Sequence, residues 1–418
     1  MFVSGAMGMT EAHDDSRNGQ YMNRHILVII PFEITIGFAF SKLIGVFFES
    51  CTRAAGTVED VHFAFSAVGT QSSADLPSGF ANLVEFNARQ YAQDDVVRLC
   101  AYIKEQRIET VFVVDGTVQE RYLPDIRKAG VRTVIAYWGA PLSGLNSGLK
   151  LLLKRMEVKY LRPSKPDHFI VESQSMKETA IRGRGIPAYM TTIVPTGVDH
   201  ERFRPLPAHH GDVYEKFSIP LDRSVVVFMG HLHHRKGVHI LLQAADQIVK
   251  RAGRTDIHFL FLGNRPGEAE AFGGTYDRAT TASYITFGGY QSGIPELLAG
   301  CHLGCVPTTG WDSFPLSPLE MQASGLPVVV SDCQGLPESV SDGVTGLVVP
   351  AGDVCALAGA IQRIVDDKEL HGKMSRAAVQ RIRASFTRTQ QVQALTQVIC
   401  SVAQWPTSDS RIGKEVLS

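Results

Sequence analysis

The feature that most constrains the fold is a series of short, continuously apolar segments that recur at helix-length intervals. Continuous rather than alternating apolar runs are typical of strands that are covered on both faces. In the first half of the chain these runs are His25–Pro31, Val61–Phe65, Thr110–Val114, Thr133–Tyr137, His168–Glu172 and Thr192–Val194. Helical patterns such as Asp94–Gln106 and Leu123–Ala129 lie between them, and this alternation predicts a parallel sheet with crossover helices.

The same pattern restarts in the second half, after a break at Arg204–Pro220 that contains three prolines among polar residues. Such a segment is typical of a connection between domains. The later apolar runs are Ser224–Met229, His258–Leu262, Ile285–Phe287, Leu303–Pro307, Val328–Ser331 and Gly346–Val349. The predicted helices between them are Val238–Ala252, Gly293–Leu298, Pro318–Ser324 and Val354–Asp366. We therefore predict an α/β protein with two Rossmann-like, doubly wound domains, and a ligand site in the cleft between them.

These patterns divide the chain into five predicted parts. They are a disordered leader (1–23), an N-terminal domain (24–205), a linker (206–222), a C-terminal domain (223–387), and a helix and tail (388–418) that can cross back to the N-terminal domain. The leader lacks the charged-then-apolar order of a signal peptide, and no stretch has the ~18 consecutive apolar residues of a membrane span. We expect a cytoplasmic protein that either stays in solution or touches the inner face of the membrane.

Charge and cysteine content exclude several function classes. The 41 basic and 42 acidic residues nearly balance, so the composition gives no argument for nucleic-acid binding. The seven cysteines include no CxxC pair, which argues against a zinc finger or a redox motif. Buried free thiols in a reducing compartment are the expectation that remains.

Candidate chemistry is concentrated at Trp311–Asp332, where a loop and a short helix lie between two predicted strands. Asp312 lies in the loop and Glu320 in the first turn of the helix, so both carboxylates can accept hydrogen bonds from a polyhydroxylated ligand at the strand ends. The start of the helix is electropositive and suits a phosphate. The backbone amides placed for that contact are those of Phe314, Leu316 and Ser317.

A purely structural interpretation competes with this one. Ser317–Glu320 has the pattern of a capping box with proline at the first helical position, and on spacing alone capping is the favoured role of Glu320. Asp312 has a milder alternative as a solvated loop acid.

Asp312, seven intervening residues and Glu320 resemble the paired-acid motif of retaining GT-B glycosyltransferases of family 4, in which two glutamates flank seven residues. Five more segments resemble the VIPNGVD, GRLxxxKG, FxG, GLPVV and GGxPE motifs of that family, in the same order. They are Ile193–Asp199, Phe228–Leu232 with Lys236-Gly237, Phe287-Gly288, Gly325–Val329 and Gly335–Glu338. The likeness covers roughly Ile193 to Ala360, and its specificity comes from order and spacing together.

The resemblance implies the GT-B fold and a donor site for a nucleoside diphosphate sugar, most commonly a UDP sugar. Glu320 would bind the ribose, Asp312 the sugar hydroxyls, and Lys236 the diphosphate together with the amides of Leu316 and Ser317. The other implied donor-binding residues are Gly37, Gly230, His231, Arg235, Gly288, Gly289 and Phe314. A fixed cation and a helix N-terminus stabilise a leaving diphosphate, so the resemblance implies no metal cofactor.

The sequence departs from the family at three places. Asp312 is one methylene shorter than the usual glutamate. His231 replaces the arginine after the strand glycine, and Arg235 is our hypothesis for the missing cation. The histidines of this loop also allow a metal site, although no carboxylate or cysteine lies close by in sequence. Tyr137-Trp138 occupies the place of a histidine that contacts the donor sugar, so these aromatics either line the sugar or acceptor site or belong to the core.

Lys150–Arg162 is basic with interleaved apolar residues. It is either a solvated helix face that covers the core or a cationic surface that docks on anionic lipid near a lipid-linked acceptor.

For the whole chain the leading hypothesis is a retaining hexosyltransferase that acts on a hydroxyl acceptor in polysaccharide, glycolipid or glycoside synthesis. The alternatives are a sugar-nucleotide epimerase of the same fold and a catalytically weak partner subunit.

Overall fold

The computed structural model describes residues 24–34, 38–68, 75–139, 144–160, 165–207 and 210–406. The predicted leader (1–23), Gly37 and Arg162 lie outside these residues. The described residues form two parallel sheets of seven and six strands with helices on both faces. This is the predicted α/β architecture with two doubly wound domains.

The N-terminal sheet has the strand order β3-β2-β1-β4-β5-β6-β7. Its strands are β1 (Ile26–Ile30), β2 (Val61–Phe65), β3 (Leu83–Glu85), β4 (Thr110–Val114), β5 (Thr133–Trp138), β6 (His168–Val171) and β7 (Thr191–Ile193). The residues of β1, β2 and β4 are all buried, as the continuous apolar runs predict.

The C-terminal sheet has the order β10-β9-β8-β11-β12-β13. Its strands are β8 (Ser224–Met229), β9 (Ile257–Leu262), β10 (Ile285–Gly289), β11 (Leu303–Val306), β12 (Val328–Ser331) and β13 (Gly346–Val349). In each sheet the strand order reverses beside the first strand, between β1 and β4 and between β8 and β11. Loops that leave the carboxyl ends of such neighbouring strands diverge and form a ligand-binding crevice.

Helices cover both faces of each sheet in the described parts of the chain. They are α1 (Phe38–Ala55), α2 (Gln93–Glu105), α3 (Leu123–Ala129), α4 (Gly148–Tyr160), α5 (Gln174–Glu178), α6 (His210–Phe217), α7 (Val238–Asp246), α8 (Arg278–Thr281), α9 (Ile294–Ala299), α10 (Leu316–Ala323), α11 (Val354–Asp366), α12 (Lys368–Ser385) and α13 (Arg388–Val402). Across the described ranges, no helix has both the length and the apolar character that a membrane crossing requires.

Helix α13 follows the C-terminal domain in sequence but packs against the N-terminal domain. Leu395 and Ile399 of α13 share an apolar core with Ile44 and Phe47 of α1. At the edge of that contact Arg388 forms an ion pair with Glu49 at 2.9 Å. The chain therefore crosses between the domains twice, and α13 completes the core of the N-terminal domain.

The segment between the two sheets is partly helical. Val213 and Tyr214 of α6 are buried in the core of the C-terminal domain, where Ile219 joins them. Much of the predicted linker therefore packs as part of that domain, because its apolar residues are buried there.

Candidate functional site

Asp312 and Lys236 meet at the carboxyl edge of the C-terminal sheet. Lys236 lies in the turn after β8 and Asp312 in the loop after β11, and these strands are neighbours. The Lys236 Nζ lies 2.6 Å from Asp312 Oδ2, and the Thr308 hydroxyl donates to the same oxygen at 3.2 Å. Asp312 is 6% exposed, so this carboxylate is a buried, paired acid and not a solvated loop residue.

Arg235 holds the loop that carries Asp312. Its guanidinium lies 4.1 Å from the centroid of the Trp311 ring and donates to the Trp311 carbonyl at 2.6 Å. Its own carbonyl accepts from the amides of Thr309 and Gly310 at 2.9 and 3.0 Å. His231, at the position of the family arginine, is exposed. The structure thus shows Arg235 fixing the Asp312 loop, while its proposed role toward the donor stays a prediction.

Glu320 does not cap its helix. Helix α10 begins at Leu316, and its N-cap is Pro315, which has no side chain able to accept a hydrogen bond. Ser317 therefore lies inside the first turn, and the capping-box interpretation of Ser317–Glu320 is wrong. Pro315 fixes an extended backbone ahead of the helix, which allows the helix to start one residue before the serine.

The Glu320 carboxylate instead pairs with Lys42 of α1, across the boundary between the domains. Lys42 Nζ lies 2.5 Å from Glu320 Oε1 and 5.0 Å from the ring centroid of Phe203. Burial raises the pKa of Glu320, and the Lys42 ammonium opposes part of that rise. The sequence analysis missed Lys42, although a lysine in the apolar first half of helix α1 was a visible anomaly.

The predicted phosphate-binding amides lie at the start of α10. The amides of the first turn of a helix have no acceptor within that helix, and Leu316 and Ser317 are partly exposed there. Phe314 contributes only its backbone, since its ring packs 5.4 Å from the ring of Phe386 in the core. The helix start and Lys236 thus offer positive charge beside the two acids.

The three predicted glycines of the C-terminal domain lie at the carboxyl ends of strands β8 and β10. Gly230 directly follows β8 and has φ +151. Gly288 is required for packing, because a Cβ atom there would lie 2.8 Å from the Phe217 ring. The Gly289 amide donates to Asn264 Oδ1 at 2.8 Å, so contact of that amide with a base requires exchange of this bond.

The two aromatics at the end of β5 do not line the cleft. Trp138 is 1% exposed and its ring packs 4.8 Å from that of Phe169, so its predicted stacking on a sugar is wrong. Tyr137 is fully buried, and its hydroxyl donates to Glu172 Oε1 at 2.7 Å. The two side chains point to opposite faces of β5, and each face of this strand is covered, so both side chains are buried.

Two carboxyl groups at the strand ends of the N-terminal domain were missed. Asp115 follows β4, has φ +48 and accepts from the Gly139 amide at 2.9 Å. Glu172 follows β6 and accepts from Tyr137 and, across the cleft, from the Ser313 hydroxyl. Burial raises the pKa of Asp115 and raises that of Glu172 to about 8. The acid ending a continuous apolar strand was the one sequence feature that could have indicated Glu172.

The histidines after β8 do not converge. The His233 ring accepts from the Arg235 amide at 3.0 Å, and the His234 ring packs 5.0 Å from Phe272. Within the described ranges, no group of three or more His, Cys, Asp or Glu side chains is placed to hold a metal ion. The structure therefore gives the metal-site interpretation of this loop no support.

Comparisons with known proteins agree with this geometry. Residues 223–367 match the family described as Glycosyl transferases group 1. The D-inositol 3-phosphate glycosyltransferase of Corynebacterium diphtheriae is 30% identical over 211 residues, which are 47% of this chain and 47% of that protein. The lipopolysaccharide core biosynthesis mannosyltransferase LpsB of Rhizobium meliloti is 27% identical over 213 residues, 50% of this chain and 60% of that protein.

The matched segments span about half the length of these curated relatives. The fold likeness extends further: the crystal structure of Anabaena HepE in complex with UDP has a TM-score of 0.71 and 18% identity, over 90% of this chain and 100% of that one. Residues 223–367 therefore form a domain of the glycosyl transferases group 1 type, within a chain that has the GT-B fold of glycosyltransferases.

Proposed function

We propose that this protein is a retaining glycosyltransferase that moves a sugar from a nucleoside diphosphate sugar, most simply a UDP sugar, to a hydroxyl acceptor. The observation that carries the proposal is the arrangement of Asp312, Glu320 and Lys236 at the strand ends beside the start of α10. The match of residues 223–367 to group 1 glycosyl transferases and the fold shared with a UDP-bound protein support it.

The proposed donor pose follows from the charges. The diphosphate lies between the Lys236 ammonium and the amides of Leu316 and Ser317, where positive charge is available. Glu320 accepts the ribose hydroxyls in place of Lys42, and Asp312 accepts hydroxyls of the sugar. Carboxylates bind vicinal hydroxyls well because they offer acceptors only.

The proposed reaction breaks the bond between the anomeric carbon and the diphosphate oxygen, whose electrons pass to the leaving diphosphate. The acceptor oxygen forms its bond on the same face of the sugar, and its proton passes to the departing phosphate. Lys236 and the start of α10 stabilise the negative charge that develops there. These fixed positive groups make the proposed reaction independent of a metal cofactor.

A panel of nucleoside diphosphate sugars tests the proposal. Thermal shift identifies the ligands that bind, because a bound ligand raises the apparent stability. Release of nucleoside diphosphate that depends on an added hydroxyl acceptor, with product of retained anomeric configuration by NMR, supports the transferase. Conversion of the donor sugar without acceptor would show an epimerase, and absence of binding to every nucleotide would favour a non-catalytic partner subunit.

We also propose that α4 brings the protein to the inner face of the membrane, where a lipid-linked acceptor lies. Helix α4 buries only Val158 among its described side chains, and basic residues are interspersed among its exposed apolar ones. The exposed apolar residues are Leu149, Leu152, Leu153, Met156 and Tyr160, and the basic ones are Lys150, Lys154, Arg155 and Lys159. Such a surface suits the anionic headgroups and upper acyl region of a cytoplasmic leaflet.

Co-sedimentation with phosphatidylcholine vesicles, with and without phosphatidylglycerol, tests the membrane contact. We expect binding that depends on the anionic lipid and is lost in a Leu149→Ser, Leu152→Ser, Leu153→Ser variant, since these side chains are exposed and do not support the fold. Leu221→Ser is the control, because Leu221 is equally exposed on the other domain. Binding that ignores lipid charge would contradict the proposal.

A further inference from the structure

A four-residue segment of the N-terminal domain, Glu172–Ser175, touches the loops of the C-terminal domain that carry the proposed donor site. We call this segment the clasp. It joins the end of β6 to the start of α5 and lies opposite the loop after β11 and the turn before β13. None of the family motifs includes it.

Glu172 provides the first contact of the clasp. Its two carboxyl oxygens are bonded separately: Tyr137 of its own domain donates to Oε1 at 2.7 Å, and Ser313 of the other domain donates to Oε2. Ser313 directly follows Asp312, which Lys236 holds at 2.6 Å. Glu172 therefore connects the buried N-terminal sheet to the residue next to the proposed sugar-binding acid.

The rest of the clasp fixes the same region from the other side. The backbone amides of Gln174 and Ser175 donate to the two carboxylate oxygens of Glu338, each at 2.8 Å. Between these contacts Gly335 lies against Ser173, where a Cβ atom would be 2.6 Å from the serine hydroxyl. The Gly335 amide donates to the Asp312 carbonyl at 3.2 Å. Of these residues, Gly335 contacts the backbone of Asp312 directly, and Glu338 lies three residues further along the same turn.

We propose that Glu172 is a positioning residue that, through Ser313, holds Asp312 in the place where it binds the donor sugar. The inference deepens the proposed function and rests on it for the identity of the ligand. The groups that face the Glu172 carboxyl are Tyr137 from β5, Asp115 after β4, and Ser313 and Asp312 from the opposite loop. Two of these groups are acids, and their negative charge favours the protonated, neutral form of Glu172. A neutral side chain of similar shape at residue 172 can therefore make the same contacts.

Calorimetric binding of UDP and of the UDP sugar found by the panel tests this role in Glu172→Ala, Glu172→Gln and Ser313→Ala. We expect the alanine variants to bind the UDP sugar about tenfold more weakly and to bind UDP with unchanged affinity, because in the proposed pose Asp312 contacts the sugar and not the nucleotide. Glu172→Gln keeps both contacts, since its amide oxygen accepts from one hydroxyl while its NH2 group donates to the other, and we expect it to bind like the unaltered protein.

Gln174→Ala is the matched control, since Gln174 contributes its backbone to the clasp and its side chain is exposed. Hydrogen–deuterium exchange of residues 308–314 without ligand gives a second readout: faster exchange in Glu172→Ala, and none of that increase in Glu172→Gln, supports the role. Folded alanine variants with unchanged exchange and sugar-nucleotide affinity would overturn it. If the unaltered protein binds no sugar nucleotide, the proposed function fails while the exchange experiment still decides the positioning role.

Discussion

The two acids of the paired motif are each held by a lysine, and the two lysines come from different domains. Lys236 pairs with Asp312 inside the C-terminal domain, whereas Lys42 reaches Glu320 from the N-terminal domain. A buried carboxylate is costly unless it is paired or hydrogen-bonded. The lysines therefore satisfy the two acids, and Lys236 also supplies positive charge where the diphosphate is proposed to lie.

Replacing Lys236 by methionine tests that charge. We expect kcat to fall about 10²–10³-fold, because a preorganised cation at the leaving group is removed while most of the side-chain volume is kept. Steady-state rates with the identified donor measure it. Lys250→Met is the control, since Lys250 pairs with Asp277 at 2.6 Å on the surface of the same domain. A Lys236→Met enzyme within about threefold of the unaltered kcat would exclude this role.

The raised pKa of Glu172 makes stability depend on pH. The folded protein keeps the proton of Glu172 up to a pKa of about 8, whereas the unfolded chain releases it near its usual value of about 4.3. Between these values the folded state binds more protons, so the contribution of Glu172 to the free energy of unfolding falls as pH rises. Above about 8 both states are ionised and the fall ends.

Glu172→Gln removes this titration and leaves the rest of the chain unchanged. We expect the variant to gain stability relative to the unaltered protein as pH rises from about 5 to about 8, and the difference to level off above that. Urea denaturation of both proteins across this range measures it. A difference that stays constant with pH would show that Glu172 titrates at an ordinary value.

At the scale of elements, the apolar runs predicted each described strand except β3, which has two half-buried residues and an exposed glutamate at a sheet edge. The start of α10 was misplaced because the capping pattern at Ser317 is local, whereas the conformation of Pro315 decides where the helix begins. The choice between cleft and core stayed open for Trp138 because a pattern of residues does not show how far the end of a strand is covered.

The predictable part of the site is the part carried by local sequence. Lys236 and Asp312 lie at fixed positions after neighbouring strands, so the motifs bring them together without further information. Lys42 and Glu172 reach the site only because the two domains face each other, and no spacing within the chain encodes that contact. Two of the three side chains that sequence analysis missed, Lys42 and Glu172, are therefore interdomain ones, whereas Asp115 contacts its own domain.

The turn between β8 and α7 depends on one glycine. Gly237 has φ +72, and a Cβ atom there would overlap the carbonyl of Pro307 at the end of β11. We expect Gly237→Ala to lower the free energy of unfolding by about 1–3 kcal/mol more than Gly253→Ala does, and to weaken donor binding by displacing Lys236. Gly253 is the control because it has φ +63 with no atom within 4 Å of an added Cβ.

Chemical denaturation measures the two stabilities, and calorimetry measures donor affinity. Both substitutions carry the cost of a left-handed backbone, about 1–2 kcal/mol, so their difference isolates the overlap with Pro307. Equal losses in the two variants would show that the turn can move away from β11.

At the scale of the whole molecule, the two domains do not correspond to two continuous halves of the sequence. Helix α13 follows the C-terminal domain but supplies Leu395, Val398 and Ile399 to the core beneath α1. Since α1 also carries Lys42, helix α13 supports the element that reaches the proposed donor site. Stability of the N-terminal domain and geometry of the cleft should therefore change together.

Leu395→Ala tests this coupling. Leu395 is fully buried, so we expect the free energy of unfolding to fall by about 2–5 kcal/mol, with earlier proteolytic cleavage in the N-terminal domain than in the C-terminal one. Gln393→Ala on the exposed face of α13 is the control and should change neither quantity. Leu395 packs in the N-terminal core and is far from the two acids in sequence. Donor affinity should nevertheless fall in Leu395→Ala, because α1 then loses part of its support. Cleavage that begins in the C-terminal domain would contradict the assignment of α13 to the N-terminal core.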